Sequence, residues 1–557
     1  MAEMYASAAP FSTNNTDVSV QNLRRSVTYH PSVWRDHFLA YTNDVTEITS
    51  AEKEELEKQR ERVRSMVVQT PDDSTLKIEL IDAIQRLGIG YHFEKEIEES
   101  MRKIHNTFDK DKDDDVRVLA LRFRLLRQQG YRVPCDVFEK FLDEEGKFKE
   151  SVMKDVEGML SLYEASNYGI NGEEILDKVL EFSSSHLENL LPQITNQSLS
   201  RRVKEALEMP ISKTLTRLGS RKFISLYQED ESHNEILLQF AKLDFNVVQK
   251  MHQREIHHIT RWWEDFEFGK KLPFARDRVV ECYFWILGVY FEPKYQTARR
   301  FLTKVISITS LLDDIYDVYG TLDELQLLTD AIQRWDISLV DELPPYMRIT
   351  YEVLLSVYAE MEQEMAKQGQ SYRVQYAKQE MIKLVRAYME EAKWCYSKYF
   401  PTIEEYMKLT LVSGAYMMLS TTSLVGMRDP PITKQDFDWI TSEPPLLQAA
   451  SVICRLMDDM VGHGVEQKIT LMDIYMKEKG CSKMEACNEF WKQVKKAWKD
   501  INEECVEPRA ASMEIILRVL NLTRVINLLY VGQDSYGNSD SKTKNLIKSV
   551  LVDPLQY

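Results

Sequence analysis

The chain has 557 residues, and its 71 basic and 88 acidic side chains give a formal net charge of −17. Its apolar content of 44% excludes wholesale disorder, and no apolar run reaches the roughly 20 residues that a membrane span needs. The acidic balance disfavours nucleic acid as a partner, because phosphate binding relies on clustered Lys and Arg. The chain has only 19 Gly and 17 Pro, which predicts helices with short connections. Together with the charge and the short apolar runs, this predicts neither a membrane nor a nucleic-acid partner.

The N-terminal arm and the cysteines bear on the cellular compartment. The first 23 residues contain no Lys or Arg, whereas a signal peptide needs a charged start and a transit peptide needs Arg. The seven cysteines are scattered and odd in number, which is more typical of reduced thiols than of a disulfide framework. We therefore expect a cytoplasmic protein.

Two polar interruptions divide the chain. After a polar arm of about 30 residues, apolar positions recur at helical spacing nearly everywhere. The wholly polar stretch 228–234 predicts a domain boundary, with one domain over 1–235 and another over 236–557. A second stretch, 532–541, is rich in turn-forming residues and has the composition of a loop that closes over a site.

Three aspartates lie in an apolar, helix-periodic run at 311–319. At about 100° per residue, Asp313 and Asp317 share one face of a helix. Carboxylates on a core-facing segment are costly unless a cation compensates them. Oxygen ligands that leave room for phosphate oxygens suit Mg²⁺, so this run predicts a magnesium site.

A second acidic run strengthens that prediction. Asp458, Gly462 and Glu466 follow an i, i+4, i+8 spacing and would line one helical stripe, and Arg455 lies one turn before Asp458. Two acidic stripes on separate helices can face each other across a cavity, where metal ions bridge a diphosphate.

Counter-cations and an indole accompany the acids. Arg276 and Arg278 follow Pro273, where a loop enters the apolar run 279–291, and two guanidiniums there can hold diphosphate oxygens bidentately. Trp285 lies about two turns beyond Arg278 on the same helix face. An indole that faces a dry cavity stabilises a carbocation by ~2 kcal/mol or more.

These residues resemble those of plant class I terpene synthases of secondary metabolism, most closely the cytosolic sesquiterpene synthases (germacrene, cadinene and valencene cyclases). The matching motifs are Asp313 to Asp317, Asp458 to Glu466, Arg276 to Arg278, and Arg24-Arg25 to Trp34. The resemblance implies an all-α fold with two helical domains. The C-terminal one would be the catalytic class I α-bundle and the N-terminal one a non-catalytic relict α-barrel.

The resemblance also assigns roles to individual residues. The metal ligands would be Asp313, Asp317, Asp458 and Glu466, with position 462 inside the second ligand motif, and they would hold three Mg²⁺ ions, or Mn²⁺ instead. The residues that bind the diphosphate would be Arg276, Arg278 and Arg455. The pocket and its closing loop would be formed by Trp285, Tyr416, Tyr530, Asp534 and Tyr536. The strand from Arg24 to Trp34 would cover the mouth of the site.

The chain departs from the family pattern at three places. Gly462 stands where the family usually supplies a hydroxyl ligand, so we expect a water to replace it and metal affinity to be weaker. Ile469 stands where a basic residue is common, which removes one contact to the diphosphate. The small residues Gly414 and Ala415 at a helix break leave the shape of the pocket open.

A third acidic run, 109–115, is interpreted differently. It contains the acidic motif of protonation-initiated cyclases, Asp111 to Asp114, but within alternating charges that favour a solvated loop. An EF-hand over the same run would need Gly at 114 and Glu at 120, where the chain has Asp114 and Ala120.

The implied function is that of a monomeric lyase, a Mg²⁺-dependent sesquiterpene synthase. It would ionise the prenyl diphosphate farnesyl diphosphate, cyclise the carbocation and release diphosphate. Three alternatives stay open: a monoterpene synthase that acts on geranyl diphosphate, a chain-elongating prenyl synthase, and a catalytically silent helical binding protein. Gly462 disfavours the second, because chain-elongating enzymes repeat the Asp-rich motif there. The sequence does not predict which terpene is formed.

Overall fold

A computed structural model describes residues 32–34, 36–109, 115–464, 468–531, 534–536 and 541–556. The prediction of an all-α fold is confirmed: these residues form no β-strand, only an isolated bridge between Leu142 and Phe148. The α-helices are α1 (Ser50–Gln69), α2 (Thr75–Arg86), α3 (Glu94–Asn106), α4 (Val116–Gln128), α5 (Glu150–Lys154), α6 (Val156–Ser166), α7 (Glu174–Leu190), α8 (Gln197–Glu208), α9 (Thr216–Glu229), α10 (Glu235–Asp265), α11 (Phe268–Lys271), α12 (Val279–Val289), α13 (Gln296–Asp314), α14 (Leu322–Arg334), α15 (Pro345–Ala366), α16 (Tyr372–Ser397), α17 (Ile403–Ser413), α18 (Tyr416–Ser423), α19 (Lys434–Thr441), α20 (Pro445–Gly462), α21 (Leu471–Lys479), α22 (Lys483–Cys505), α23 (Met513–Tyr530) and α24 (Ser541–Leu551).

Capping boxes fix where several of these helices begin. Thr402 accepts a hydrogen bond from the backbone N–H of Glu405, whose carboxylate accepts one from the Thr402 N–H at 2.9 Å. Ser482 and Glu485 repeat the arrangement at the start of α22. Each cap satisfies backbone donors that the first turn leaves unpaired, and it contributes about 1 kcal/mol.

Two apolar cores lie along the chain. The N-terminal core is built mainly from α1 to α9, and the C-terminal core mainly from α12 to α24. The 31-residue helix α10 contributes to both, since residues 237–245 pack in the first core and 256–263 in the second. The boundary at 235/236 stays a prediction. It coincides with the start of α10, although that helix continues through both cores.

A ring of helices in the C-terminal core positions the candidate site. Successive contacts join α12 to α13, α13 to α18, α18 to α20, α20 to α23, and α23 back to α12. Helix α16 packs on α18 and also contacts the turn that follows α13. The two predicted acidic runs therefore lie at the C-terminal ends of α13 and α20, on two members of one ring.

The described part of the N-terminal arm packs on the C-terminal core. Trp34 and Phe38 are buried in that core, and the Lys544 ammonium at the start of α24 lies 6.0 Å from the Trp34 ring centroid. Arg24 and Arg25 lie outside the described residues, as does the acidic run from Asp111 to Asp114. Across the described ranges, no helix is both long enough and apolar enough to span a bilayer.

Candidate active site

The first acidic run departs from a regular α-helix. Helix α13 ends at Asp314, and a π-helical turn over Ile315–Tyr319 follows, closed by a 2.8 Å hydrogen bond from Gly320 N to Ile315 O. The run is therefore not one regular α-helix, because Asp317 lies in the π turn, and the shared face of Asp313 and Asp317 stays a prediction. The two carboxylates still lie close enough for the charge of Asp317 to raise the pKa of Asp313. Single π turns of this kind are frequent at functional sites.

Asp314 anchors the arginine loop to α13. Its fully buried carboxylate accepts a hydrogen bond from the Arg276 backbone N–H at 2.7 Å and pairs with the Arg276 guanidinium at 2.7 Å. The same guanidinium reaches Asp313 at 2.5 Å. Arg278 precedes α12 and is also buried, and it donates to the Asp277 carbonyl at 3.2 Å. Sequence reasoning did not single out Asp314, although it holds the loop in place.

The acidic groups near α13 are incompletely neutralised. Burial, and then the charge of Asp317, raises the pKa of Asp313 to about 7. Glu391 on α16 approaches the same region, and burial, together with Asp317, raises its pKa too. Its carboxylate accepts a 2.7 Å hydrogen bond from Ser413. Glu391 was missed because it lies far from both motifs in the sequence.

The second acidic run is organised by Arg455. Its guanidinium binds both Asp458 and Asp459, one turn further along α20. Asp459 is buried and also accepts from the Leu471 backbone N–H at 2.8 Å and from the Tyr406 hydroxyl at 3.3 Å. Asp459 therefore positions Arg455 and the start of α21, while Asp458 is left one-fifth exposed toward the site.

The predicted stripe from Asp458 to Glu466 is not one continuous helix. Helix α20 ends at the buried Gly462, and His463 adopts an extended conformation with ψ of 117°. The expectation of an unbroken α-helical stripe is therefore wrong, because the helix stops after position 462. Glu466 itself lies outside the described residues.

Lys468 connects the two acidic runs. Its ammonium donates to the Asp317 carboxylate at 2.7 Å, and its charge also lowers the proton affinity of Glu391. Ile469 was expected to mark the loss of a basic residue just beyond the second motif. The loss of a diphosphate contact at Ile469 stays a prediction, and Lys468, one position earlier, places a cation beside Asp317.

An aromatic wall lies beside the arginine loop. The Trp285 ring on α12 is buried, and its centroid lies 5.5 Å from that of Tyr536. The Arg276 guanidinium stands 4.4 Å over the Tyr536 ring, whose hydroxyl lies 3.3 Å from Ser310 Oγ. Asp534 accepts a 2.9 Å hydrogen bond from the Tyr536 backbone N–H, which fixes this turn.

Two further tyrosines lie toward the second motif. Tyr416 begins α18 directly after the helix break, where Ala415 has φ of 65°. The Tyr416 hydroxyl donates to the Leu522 carbonyl at 3.1 Å. Tyr530 ends α23. Burial raises the pKa of both phenols well above the ordinary value, and the charge of Asp458 adds to the shift. The residues predicted for the pocket are therefore brought together.

The donor set suits a divalent cation. Oxygen ligands are what Mg²⁺ and Mn²⁺ prefer, and the carboxylates of α13, α16 and α20 outnumber the cations that contact them. In the part of the chain that the structure describes, no three such side chains converge closely enough to enclose an ion, and Arg276, Arg455 and Lys468 form ion pairs with the carboxylates. A bound ion would therefore replace some of these ion pairs.

Fold and site together define a class of protein: an all-α enzyme in which acidic helix ends and arginines face an aromatic wall, suited to metal-assisted diphosphate chemistry. Two family models match the chain, the "terpene synthase family, metal binding domain" over residues 264–500 and the "terpene synthase, N-terminal domain" over 33–207. The (−)-germacrene D synthase of Origanum vulgare is 77% identical over 100% of this chain and 99% of that protein. The germacrene-D synthase of Ocimum basilicum is 70% identical over all of both chains.

Two solved structures have a fold similar to that of this chain. A limonene synthase with 2-fluorolinalyl diphosphate has a TM-score of 0.90 at 31% identity, covering 96% of this chain and 100% of that one. The isoprene synthase of grey poplar (Populus x canescens), with three Mg²⁺ ions and dimethylallyl-S-thiolodiphosphate, has a TM-score of 0.86 at 32% identity, covering 91% and 98%. The chain belongs to the terpene synthase family. It is a sesquiterpene synthase, a lyase that uses a divalent metal ion.

Proposed function

We propose that the enzyme converts farnesyl diphosphate to germacrene D with three Mg²⁺ ions, as a cytoplasmic monomer. The observation that carries the reaction type is the excess of carboxylates facing Arg276 and Arg455 beside the buried Trp285. The product is supported by two relatives that are 77% and 70% identical over the full chain and are both named germacrene D synthases.

The metal ions would be held from two sides. Asp313 and Asp317 would supply the ligands from α13 and its π turn, and Asp458 and Glu466 those from the second motif, with a water at Gly462. When bound, Mg²⁺ neutralises diphosphate oxygens and so makes diphosphate a better leaving group. Release of the aspartates from Arg276 and Arg455 would free both guanidiniums to bind the same oxygens.

Ionisation breaks the bond between C1 and the diphosphate oxygen, and the electron pair leaves with the diphosphate. Arg276, Arg278 and Arg455 would stabilise the growing negative charge, and every ~1.4 kcal/mol of such stabilisation raises the rate tenfold. Asp314 and Asp459 would keep Arg276 and Arg455 in place while Asp313 and Asp458 are exchanged for diphosphate oxygens.

The allylic cation that remains must cyclise before it meets water. Trp285 and Tyr536 would shield one side, and Tyr416 and Tyr530 the other, since all four rings are buried or nearly so. A ring face that meets a desolvated cation contributes ~2 kcal/mol or more. Transfer of a proton from the cyclised cation to an oxygen of the departed diphosphate would then give a neutral hydrocarbon.

The direct test incubates purified enzyme with farnesyl diphosphate and Mg²⁺ and analyses the extract by chiral gas chromatography–mass spectrometry. Parallel samples contain geranyl diphosphate, or EDTA in place of the metal. Metal-dependent germacrene D from the fifteen-carbon substrate supports the proposal. Another cyclic sesquiterpene would overturn the product alone, a preference for geranyl diphosphate would favour the monoterpene alternative, and no turnover would favour the binding protein.

A further inference from the structure

A separate cavity of about 290 Å³ lies where the N-terminal and C-terminal halves of the chain meet. Helices α6, α8 and α9 and the turn before α9 form one side, and α23 and α24 form the other. None of the site residues named above lines it. Much of its wall is apolar, from side chains that include Leu160, Ala206, Leu226, Leu528, Val531 and Leu546.

Lys213 and Arg524 are two of the cations that line this cavity. Arg524 on α23 donates from Nε to the Ser212 carbonyl at 2.9 Å and from Nη1 to the Asn521 side-chain oxygen at 2.8 Å, both of them neutral acceptors. The Lys213 ammonium stands 5.2 Å from the Trp498 ring centroid. Among the described residues, no carboxylate lies within 4.0 Å of either cation.

The acids in the same wall do not neutralise this pair. Glu164 binds Arg86 and approaches Arg124, so it is already engaged within the N-terminal half. The two others, Glu205 and Glu208, lie on α8 and form no ion pair with Lys213 or Arg524. The cavity therefore combines an apolar wall with a local excess of positive charge.

The pKa values of Lys213 and Arg524 are both lowered, as is expected for buried cations without a nearby anion. Burial, and then the positive charge of Lys495, lowers the pKa of Lys213 to about 8. Burial likewise lowers the pKa of Arg524. Removing a cation from water is costly unless an anion compensates it, and no ion pair with a described carboxylate compensates these two.

We propose that this cavity binds a small amphipathic oxyanion, with a carboxylate or phosphate head between Lys213 and Arg524 and an apolar tail along the leucine-lined wall. The guanidinium of Arg524 offers directional donors to such a head, and Lys213 adds a compact charge. A volume of about 290 Å³ suits a tail of modest length. The site does not require the metal-binding residues, so it is independent of the proposed function.

The test uses the full chain in EDTA and isothermal titration calorimetry. The probes are decanoate and decyl phosphate below their micellar concentrations, with decanol as the uncharged control. We expect saturable binding of at least one anion at one site per chain and at least tenfold weaker binding of decanol. The stronger of the two anions identifies the head group as carboxylate or phosphate.

Variants locate the site. Lys213→Met and Arg524→Met should each weaken binding of that anion at least tenfold, while Lys213→Arg, which keeps the charge, should retain most of it. Lys204→Met removes an exposed lysine from α8 outside the cavity wall and should leave the affinity unchanged. Arg455→Met should also leave it unchanged, because that change affects only the diphosphate site.

Three results would overturn the proposal: no saturable binding of either anion, equal affinity for decanol, or an unchanged affinity in folded Lys213→Met. If Lys213→Met fails to fold, the comparison of Lys213→Arg with Arg524→Met decides the matter in the same way. Loss of binding in Arg455→Met alone would place the anion in the catalytic site and also overturn it. Turnover of farnesyl diphosphate is measured separately, so failure of either proposal is recognised independently.

Discussion

Two of the buried ionic clusters among the described residues differ in charge balance. The paired cluster of the N-terminal core joins Asp82 and Glu164 to Arg86 and Arg124, one carboxylate for each guanidinium. Arg86 Nε donates to both Asp82 oxygens at 2.8 and 3.0 Å, and Arg124 binds the same carboxylate. Burial alone would raise the pKa of Asp82, but Arg124 and Arg86 outweigh it and hold the pKa below its ordinary value.

The acidic cluster of the C-terminal core has the opposite balance. It comprises the carboxylates of Asp313, Asp314, Asp317, Glu391, Asp458 and Asp459, and the cations of Arg276, Arg455 and Lys468. Its carboxylates outnumber these cations two to one. Burial, and then the charge of Asp317, raises the pKa of Asp313 to about 7, and the pKa values of Glu391 and Asp459 are also raised, chiefly by burial.

The contrast separates a structural cluster from a binding cluster. In the paired cluster each charge has a partner within the chain and the pKa of Asp82 is lowered, so removal of one partner leaves a buried charge less compensated. A network with surplus buried acids favours the binding of external cations. Removal of one member should therefore have opposite consequences in the two cores.

The largest effect is expected for Asp313→Asn in the acidic cluster. Loss of this carboxylate should lower kcat by about 10³-fold, equivalent to ~4 kcal/mol, because a metal ligand is removed. The melting temperature should stay unchanged or rise, because a like-charged neighbour of Asp317 disappears. Gas chromatography of the products and circular dichroism measure the two quantities, and full turnover would contradict the ligand role.

Asp82→Asn in the paired cluster should do the reverse. It leaves Glu164 as the one carboxylate of this cluster for the two guanidiniums, and we expect a loss of about 3 kcal/mol in the free energy of unfolding, measured by urea denaturation. Turnover per folded molecule should stay near that of the unchanged enzyme. Asp177→Asn breaks an exposed pair with Lys499 and serves as the control, with a loss under about 1 kcal/mol.

Ligand stabilisation gives a third comparison. Mg²⁺ together with inorganic diphosphate at 100 times the dissociation constant should stabilise the native enzyme by about 2.7 kcal/mol. The increase in melting temperature should persist in Asp82→Asn and be largely lost in Asp313→Asn. Differential scanning calorimetry measures these melting temperatures. Equal increases in the two variants would contradict the distinction between the clusters.

A smaller effect is expected at Gly462. Gly462→Ser places a hydroxyl at the end of α20, where the family usually supplies a metal ligand, and should lower the apparent dissociation constant for Mg²⁺ a few-fold. Gly462→Ala adds the same Cβ without the oxygen and is the matched control. Metal titrations of turnover measure both, and an equal response to the two changes would show that a hydroxyl there does not bind metal.

The sequence predicted much of the site because helical spacing carries the motifs. Asp313, Asp458, Arg276 and Trp285 follow from local patterns, and the structure brings them into one region. Their neighbours were missed for physical reasons. Asp314 and Asp459 each directly follow a predicted ligand and point about 100° away from it around the helix. They therefore contact residues that only the tertiary structure brings near.

Local deviations from ideal helices also escaped prediction. Periodicity assumes an unbroken α-helix, whereas a π turn follows Asp314 and α20 ends at Gly462. Lys468 becomes part of the site only because the chain beyond α20 returns toward α13. The all-α class was predictable from composition, but the closed ring of helices depends on packing between residues far apart in the sequence.

The most direct test of the surplus-acid account counts bound metal. Mn²⁺ is titrated into the enzyme with inorganic diphosphate, and free Mn²⁺ is followed by electron paramagnetic resonance. The account predicts three Mn²⁺ per chain, as in the three-Mg²⁺ isoprene synthase complex, and fewer in Asp313→Asn but not in Asp82→Asn. Absence of bound Mn²⁺, or an equal number in all three proteins, would contradict it.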